Sequence, residues 1–312
     1  MNQKPQLTYP MQFALLIGLM GVFIVISGLL VTFLGSQMMH VPFSQVGTQI
    51  NKPEYVNVSR LLNTLASVLV FLLPALILAR NLGKSAFTQL GFNSAIGFRQ
   101  MIPLLLIMVA GIMLSGALGE LNEKIPLPAA LYAKAKALED EYKTSMMAMA
   151  NMKTVADYLL AILVLAAAPA LCEEVLFRGG FQQVFIGWTK SKWAGIIITS
   201  VLFSAFHFSY FGFLPRLALG IILGLIFFYS KNIWLNIFLH FLNNAMVVTQ
   251  LYVASRMGKS IEKTIDENIP MWVGVIALAL LLVFFRIFKK ESEAVVLEKE
   301  KDRYSSHENM VS

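Results

Sequence analysis

The chain has 312 residues, of which 57% are hydrophobic and 14% charged, with a formal net charge of +7 and a mean hydropathy of +0.68. Soluble domains keep roughly a quarter of their residues charged, so this balance excludes an ordinary soluble enzyme and makes lipid the expected solvent. The positive excess is scattered over loops and tail, a pattern that sets topology at anionic leaflets, and no basic stripe with interleaved aromatics argues for nucleic acid as a partner.

A helix needs about 20 apolar residues to cross the hydrocarbon core. The first run, 11–34, carries no charge, exceeds the roughly 7–15 residues of a signal-peptide core and lacks a small-residue cleavage site after it. It is expected to be an uncleaved first span. Runs at 61–79 and 101–119 predict the next two. Between residues 120 and 157 an Ala-rich stretch, 128–152, carries charges at helical intervals. It reads either as an amphipathic helix at the interface or, by preference, as a solvated surface helix with no part in chemistry.

Further runs at 158–188, 193–212, 214–230, 232–254 and 270–288 complete an all-α, polytopic membrane fold of about eight spans. Pro215 and Arg216 crowd the start of 214–230, so seven is the alternative count. The tail after Lys290 reads as a short frayed helix or a disordered end. Three regions follow: an N-terminal transmembrane half (1–154), a core (155–255), and a last span with a charged tail (256–312). Lys4, Arg80, Lys84, Arg99, Lys190, Lys192, Lys231, Arg286, Lys289 and Lys290 fall on one side of this topology, which predicts cytoplasmic termini. Cys172 is the sole cysteine; a disulfide within the chain and a cysteine-based metal cluster are excluded, and the residue reads as a small core side chain.

Ionisable and strongly polar residues in the apolar runs gather in three places. Glu173, Glu174 and Arg178 share one run, His207 lies in a second, and His240 and Asn244 lie in a third. An acid at the centre of a spanning helix costs about 2.5–3.5 kcal/mol on insertion scales, so two adjacent acids imply a site unless they are paired. Glu174 and Arg178 are four apart and can form an ion pair. Glu173 is turned by about 100° from Glu174 and has no local partner, which makes it the carboxylate free for acid–base work. His240 and Asn244 share a helix face, as do Phe203 and His207, with the Phe203 ring expected to wall the site. Glu173 and His207 can meet only if the fourth helix continues past Arg178 through Phe181, Val184, Phe185, Ile186 and Trp188. For His240 to join them, its helix must tilt or start below the surface.

Taken in order, Glu173-Glu174-x-x-x-Arg178, Phe203-x-x-x-His207 and His240-x-x-x-Asn244 resemble the three motifs of the CAAX protease and bacteriocin-processing family. These are the Abi, or type II CAAX prenyl endopeptidase-like, intramembrane proteases, and the resemblance covers about residues 155–255. It implies an intramembrane endopeptidase acting on a membrane-associated peptide or protein. Glu173 would activate water with help from His207, His240 and Asn244 would stabilise the oxyanion, and Glu174, Arg178 and Phe203 would support them. A metal is the alternative to glutamate catalysis: zinc or another divalent ion on Glu173, His207 and His240. The chain lacks His-Glu-x-x-His, and an Asn beside a His suits hydrogen bonding better than zinc ligation, so no cofactor is expected. Membrane lipids and the substrate are the expected partners, at a bacterial plasma membrane.

Two other classes compete. A proton- or cation-coupled transporter would use the same acids and histidines as a relay, but would carry paired broken helices in internal repeats, and no repeat is visible. A non-catalytic membrane scaffold or immunity protein would have no need of an unpaired Glu173.

Overall fold

The computed structural model describes residues 7–83, 85–92, 96–257 and 269–311. Lys4 and Lys84, used above for topology, lie outside the described residues. The described chain is helical, without a strand. Among the described residues seven helices are long and apolar enough to cross a membrane: α1 (Tyr9–Met39), α2 (Pro53–Asn81), α3 (Phe98–Glu123), α5 (Val155–Thr189), α7 (Phe213–Ser230), α8 (Ile233–Arg256) and α9, whose apolar part is Met271–Lys299. Between them lie α4 (Ala129–Met149) and a short apolar helix, α6 (Lys192–Ala205).

Two spans carry widened π turns for the same reason. In α2 the π segment Val68–Leu72 precedes Pro74, and in α5 the π segment Ile162–Ala167 precedes Pro169. A proline inside a helix removes one donor and its ring clashes with the carbonyl four residues back; inserting an extra residue into that turn relieves the clash. A second π segment in α5, Val175–Gln182, begins directly after Glu174. The helix nevertheless runs unbroken from Val155 to Thr189, so it does continue past Arg178.

The run at 193–212 is not one helix. α6 has 14 residues, about 21 Å at 1.5 Å per residue, against a hydrocarbon thickness of about 30 Å. Hydropathy alone could not see the break, because residues 206–214 stay apolar. Polar side chains around the break supply the hydrogen bonds that irregular backbone needs when buried in a membrane protein. Ser204 Oγ donates to the Phe213 carbonyl at 2.7 Å, and Gly212 N donates to Ser209 Oγ at 3.1 Å. From α3, Asn122 donates to the Tyr210 carbonyl at 2.9 Å and accepts from Leu214 N at 2.8 Å. Phe208 takes a left-handed backbone (φ 50°). The run at 214–230, despite Pro215 and Arg216 in its first turn, is a full helix.

α8 starts inside the protein. Asn232 and Ile233 are fully buried; Ile233 N donates to the Gly91 carbonyl at 2.9 Å, and Phe92 packs edge-on against Trp234. The segment 85–92 thus covers the start of the helix that carries His240. α9 runs as a single helix to Val311 rather than fraying after Lys290. Gln100 in the first turn of α3 donates to Ser292 in α9 at 3.0 Å, and Lys289 pairs with Glu293.

α4, read from sequence as a free surface helix, is fastened at both ends. At its C-terminus Arg60 of α2 donates to the carbonyls of Met149 (2.9 Å) and Asn151 (3.2 Å). Further along, Glu139 accepts from Ser209 Oγ at 2.5 Å, Tyr142 lies against Arg216, and Tyr132 meets Phe211. α4 therefore lies across the loop that follows His207. Inside the bundle, Phe177, Phe181 and Phe185 of α5 pack with Leu16 of α1 and Phe203 of α6.

Candidate active site

Counted along the helix axes, Glu173 stands about 24 Å from Thr189 at one end of α5, and His207 about 22 Å from Lys192 at the start of α6. The two helices are joined by the tight turn at 190–191, so both residues arrive at the same depth. His240 reaches that depth because α8 begins beneath the surface.

Glu174 is the fixed centre of the cluster. Its side chain and that of Arg178 are both 0% exposed, and Arg178 Nη1 donates to Glu174 Oε1 at 2.8 Å. The same oxygen bonds His240 Nδ1 at 2.8 Å, and Glu174 Oε2 accepts from Asn236 Nδ2 at 3.2 Å. The carboxylate thus spans α5 and α8 as well as its own helical turn. Arg178 reaches across to the carbonyl of Gly220 in α7 at 3.2 Å. That contact depends on a glycine: a Cβ at 220 would meet Ser200 Cβ at 2.9 Å.

Glu173 differs in kind. Its side chain is 14% exposed, yet Oε2 is sealed from solvent and has no hydrogen-bond partner. His240 Nε2 lies 3.9 Å from it. That is too long for a hydrogen bond and is a separation that one bridging water spans. His207 Nδ1 bonds the Phe203 carbonyl at 2.8 Å, while Glu173, Arg216 and His240 lie within electrostatic reach of its ring. Both histidines therefore commit Nδ1 to an acceptor, a carbonyl in one case and a carboxylate in the other. This places the proton on Nδ1 in the neutral ring and leaves Nε2 for chemistry.

Phe203 packs against both histidines and Arg178. Its ring centroid lies 5.0 Å from that of His207 and 6.0 Å from that of His240, and the Arg178 guanidinium sits 4.8 Å above it. Asn244 stands one turn beyond His240 on α8, and its Oδ1 accepts from Asn243 Nδ2 at 3.3 Å; it makes no hydrogen bond with Glu173. A cleft of about 390 Å³ adjoins His240, walled by Ile107, Gly111, Phe203, Leu219, Leu223 and Asn243 among others. The cleft opens among α3, α6, α7 and α8, and its lining is almost wholly apolar.

Sequence reasoning passed over Asn236. It lies four residues before His240, so Asn236, His240 and Asn244 form one stripe along α8, a periodicity readable in the sequence. Its Nδ2 also donates to the Leu223 carbonyl at 2.7 Å. Arg216 was read only as an obstacle at a span boundary. Cys172 is a buried free thiol.

Glu173, His207 and His240 are the residues a metal would use. Among the described residues no group of three or more His, Cys, Asp or Glu side chains is arranged to hold a metal ion, so these three do not converge as ligands here.

Adjacent carboxylates facing two imidazoles, in the interior of a polytopic helical bundle, are the equipment of an intramembrane protease. Residues 155–246 match the family model for type II CAAX prenyl endopeptidase Rce1-like proteins. The match supports a CAAX-type intramembrane protease in general terms. No curated protein and no solved structure matches the chain.

Proposed function

We propose that the protein is a metal-independent glutamate endopeptidase that hydrolyses a peptide bond of a membrane-associated substrate. One observation carries the reading: Glu173 Oε2 is buried without a partner, 3.9 Å from the Nε2 of a histidine whose other nitrogen is held by Glu174. Such a carboxylate is costly to keep unless a substrate or water completes it.

On this reading Glu173 takes a proton from water as its oxygen attacks the scissile carbonyl, with His207 Nε2 assisting. The carbonyl oxygen becomes an oxyanion facing Asn244 Nδ2 and His240 Nε2. Because His240 Nδ1 already donates to Glu174, whose charge Arg178 offsets, donation from Nε2 requires the imidazolium, and Glu173 supplies the compensating charge. Preorganised donors of this kind contribute about 2.7–4 kcal/mol each to acyl-transfer transition states. Glu173 then passes its proton to the leaving amine, giving a carboxylic acid and an amine. Arg178 holds Glu174 in place. The cleft beside His240 suits an apolar portion of the substrate. Lysine and arginine residues at the 80, 190 and 231 turns favour cytoplasmic termini.

The test is cleavage of a membrane-tethered peptide library by the purified protein in proteoliposomes, wild type against Glu173→Ala. Products from wild type and none from the variant are expected. Equal product from both would refute the assignment.

A further inference from the structure

Arg178, Arg60 and Arg216 lie in helices around the site, and they are satisfied differently. Arg178 is paired with Glu174. Arg60 donates to two carbonyls at the end of α4 and to Asn57. Arg216, in the first turn of α7, has neither kind of partner: its Nη1 is sealed from solvent and makes no hydrogen bond, and no carboxylate of the described residues pairs with it. The nearby acid of α4, Glu139, is engaged by Ser209.

The guanidinium is held in a fitted place. Tyr142 covers one face, its ring centroid 5.3 Å from the guanidinium carbon, which leaves the edge as the donating side. A Cβ at Gly212 would fall 2.0 Å from Nη1 and 2.7 Å from the guanidinium carbon, so residue 212 must be glycine for Arg216 to sit as it does. Gly212 ends the loop that begins at His207, and Arg216 lies within electrostatic reach of the His207 ring. An unpaired planar cation held against Tyr142 matches a carboxylate in two-point geometry better than any other anion a peptide carries.

We propose that Arg216 binds a carboxylate of the peptide substrate, so that the enzyme selects peptides with an anion close to the scissile bond. The inference rests on the peptidase reading of Glu173 and His207. The carboxylate has two sources, a free C-terminus or an acidic side chain, and Gly212 and Tyr142 are part of the same subsite through the shape they impose.

The experiment uses the full chain in phosphatidylcholine proteoliposomes and four tethered peptide libraries. Two differ only in a free-acid or carboxamide C-terminus, and two differ only in Asp/Glu or Asn/Gln at internal positions. Wild type is expected to prefer one acidic member of these pairs by about tenfold or more in kcat/KM, the worth of one hydrogen bond to a charged group. Most of that preference should lie in KM. Which pair shows it identifies the source of the carboxylate. In Arg216→Gln and in Gly212→Ala the ratio of acidic to neutral cleavage should collapse toward one, and Arg216→Lys should restore part of it. Because the readout is a ratio within one preparation, partial misfolding does not imitate the result. A wild type indifferent to both exchanges overturns the proposal while leaving the peptidase reading intact, as does a preference that survives Arg216→Gln. A rate that responds instead to phosphatidylglycerol, and loses that response in Arg216→Gln, overturns it in favour of a lipid phosphate. Wild type that cleaves no library overturns the peptidase reading and this inference with it.

Discussion

Truncation of Asn236 to alanine separates a network that orients His240 from one that merely fills space. Asn236 is fully buried, and its Nδ2 bonds Glu174 Oε2 at 3.2 Å and the Leu223 carbonyl at 2.7 Å. The first bond goes to a charged acceptor, worth about 1.5–3 kcal/mol, and the second to a helix carbonyl, worth about 1 kcal/mol. Their joint loss should destabilise the fold by about 2.5–4 kcal/mol, large beside the 5–15 kcal/mol typical of folded domains. Removal of Asn236 Oδ1, which is buried without a partner, relieves a desolvation cost and offsets part of this loss, so the lower end of that range is expected.

Function should suffer separately. Glu174 keeps Arg178 and His240 but loses the bond that fixes its second oxygen, so the imidazole is less firmly held. Removing an outer residue that orients an active-site histidine lowers function by about 10–100-fold in metal sites, and a fall in kcat at the lower end of that range is expected here, with KM little changed. The measurements are denaturant-induced unfolding in detergent and steady-state kinetics corrected for the folded fraction. Asn236→Asp is the companion variant: it sets a second carboxylate against Glu174 and should be worse in both respects. Wild-type stability and kcat in Asn236→Ala would refute the reasoning, and so would an Asn236→Asp variant as stable as wild type.

Three further outcomes are expected. Glu173→Gln should lose at least about a hundredfold in kcat, the lower bound for removing a positioned acid–base group, while unfolding no earlier than wild type, because it replaces a buried unpartnered charge; an earlier unfolding transition would show that Glu173 is structural. Prolonged dialysis against a strong chelator should leave peptide cleavage unchanged, with elemental analysis confirming a metal-free preparation, and activity lost to the chelator and restored by zinc would overturn the metal-independent mechanism. Arg60→Ala should raise amide hydrogen exchange across residues 145–154, since Arg60 holds the Met149 and Asn151 carbonyls; unchanged exchange there would mean that α4 is held by its other contacts.

The all-helical membrane fold was legible because lipid removes the usual ambiguity between helix and strand: a single apolar segment can cross only as a helix. The ion pair of Glu174 with Arg178 was legible because it is local, one turn along one helix. What escaped were features decided by partners far away in sequence. The break after Ala205 lies in the apolar stretch 206–214 and depends on Asn122, more than eighty residues earlier. The bond from His240 to Glu174 spans 66 residues, so the residue that seemed occupied by Arg178 also orients a histidine. Asn236 lay on a readable stripe with His240 and Asn244, but a buried asparagine near the start of a helix has ordinary explanations until its carboxylate partner is known. Arg216 was discounted because hydropathy treats an arginine as a boundary mark, whereas its missing partner is a property of the folded chain.

The charges in the cluster explain why two adjacent glutamates are useful where one would be cheaper to bury. Glu174 and Arg178 form a pair with no net charge, which lets Glu174 accept from His240 without adding an uncompensated carboxylate to the interior. Glu173 then carries the working negative charge. On the proposed reading, a proton on His240 balances Glu173, and a proton moving from water to Glu173 is matched by the oxyanion that forms beside His240. The net charge of the site stays constant through the step, the condition under which a poorly solvated interior opposes proton transfer least. On that reading the first glutamate reacts because the second keeps a histidine and an arginine in place.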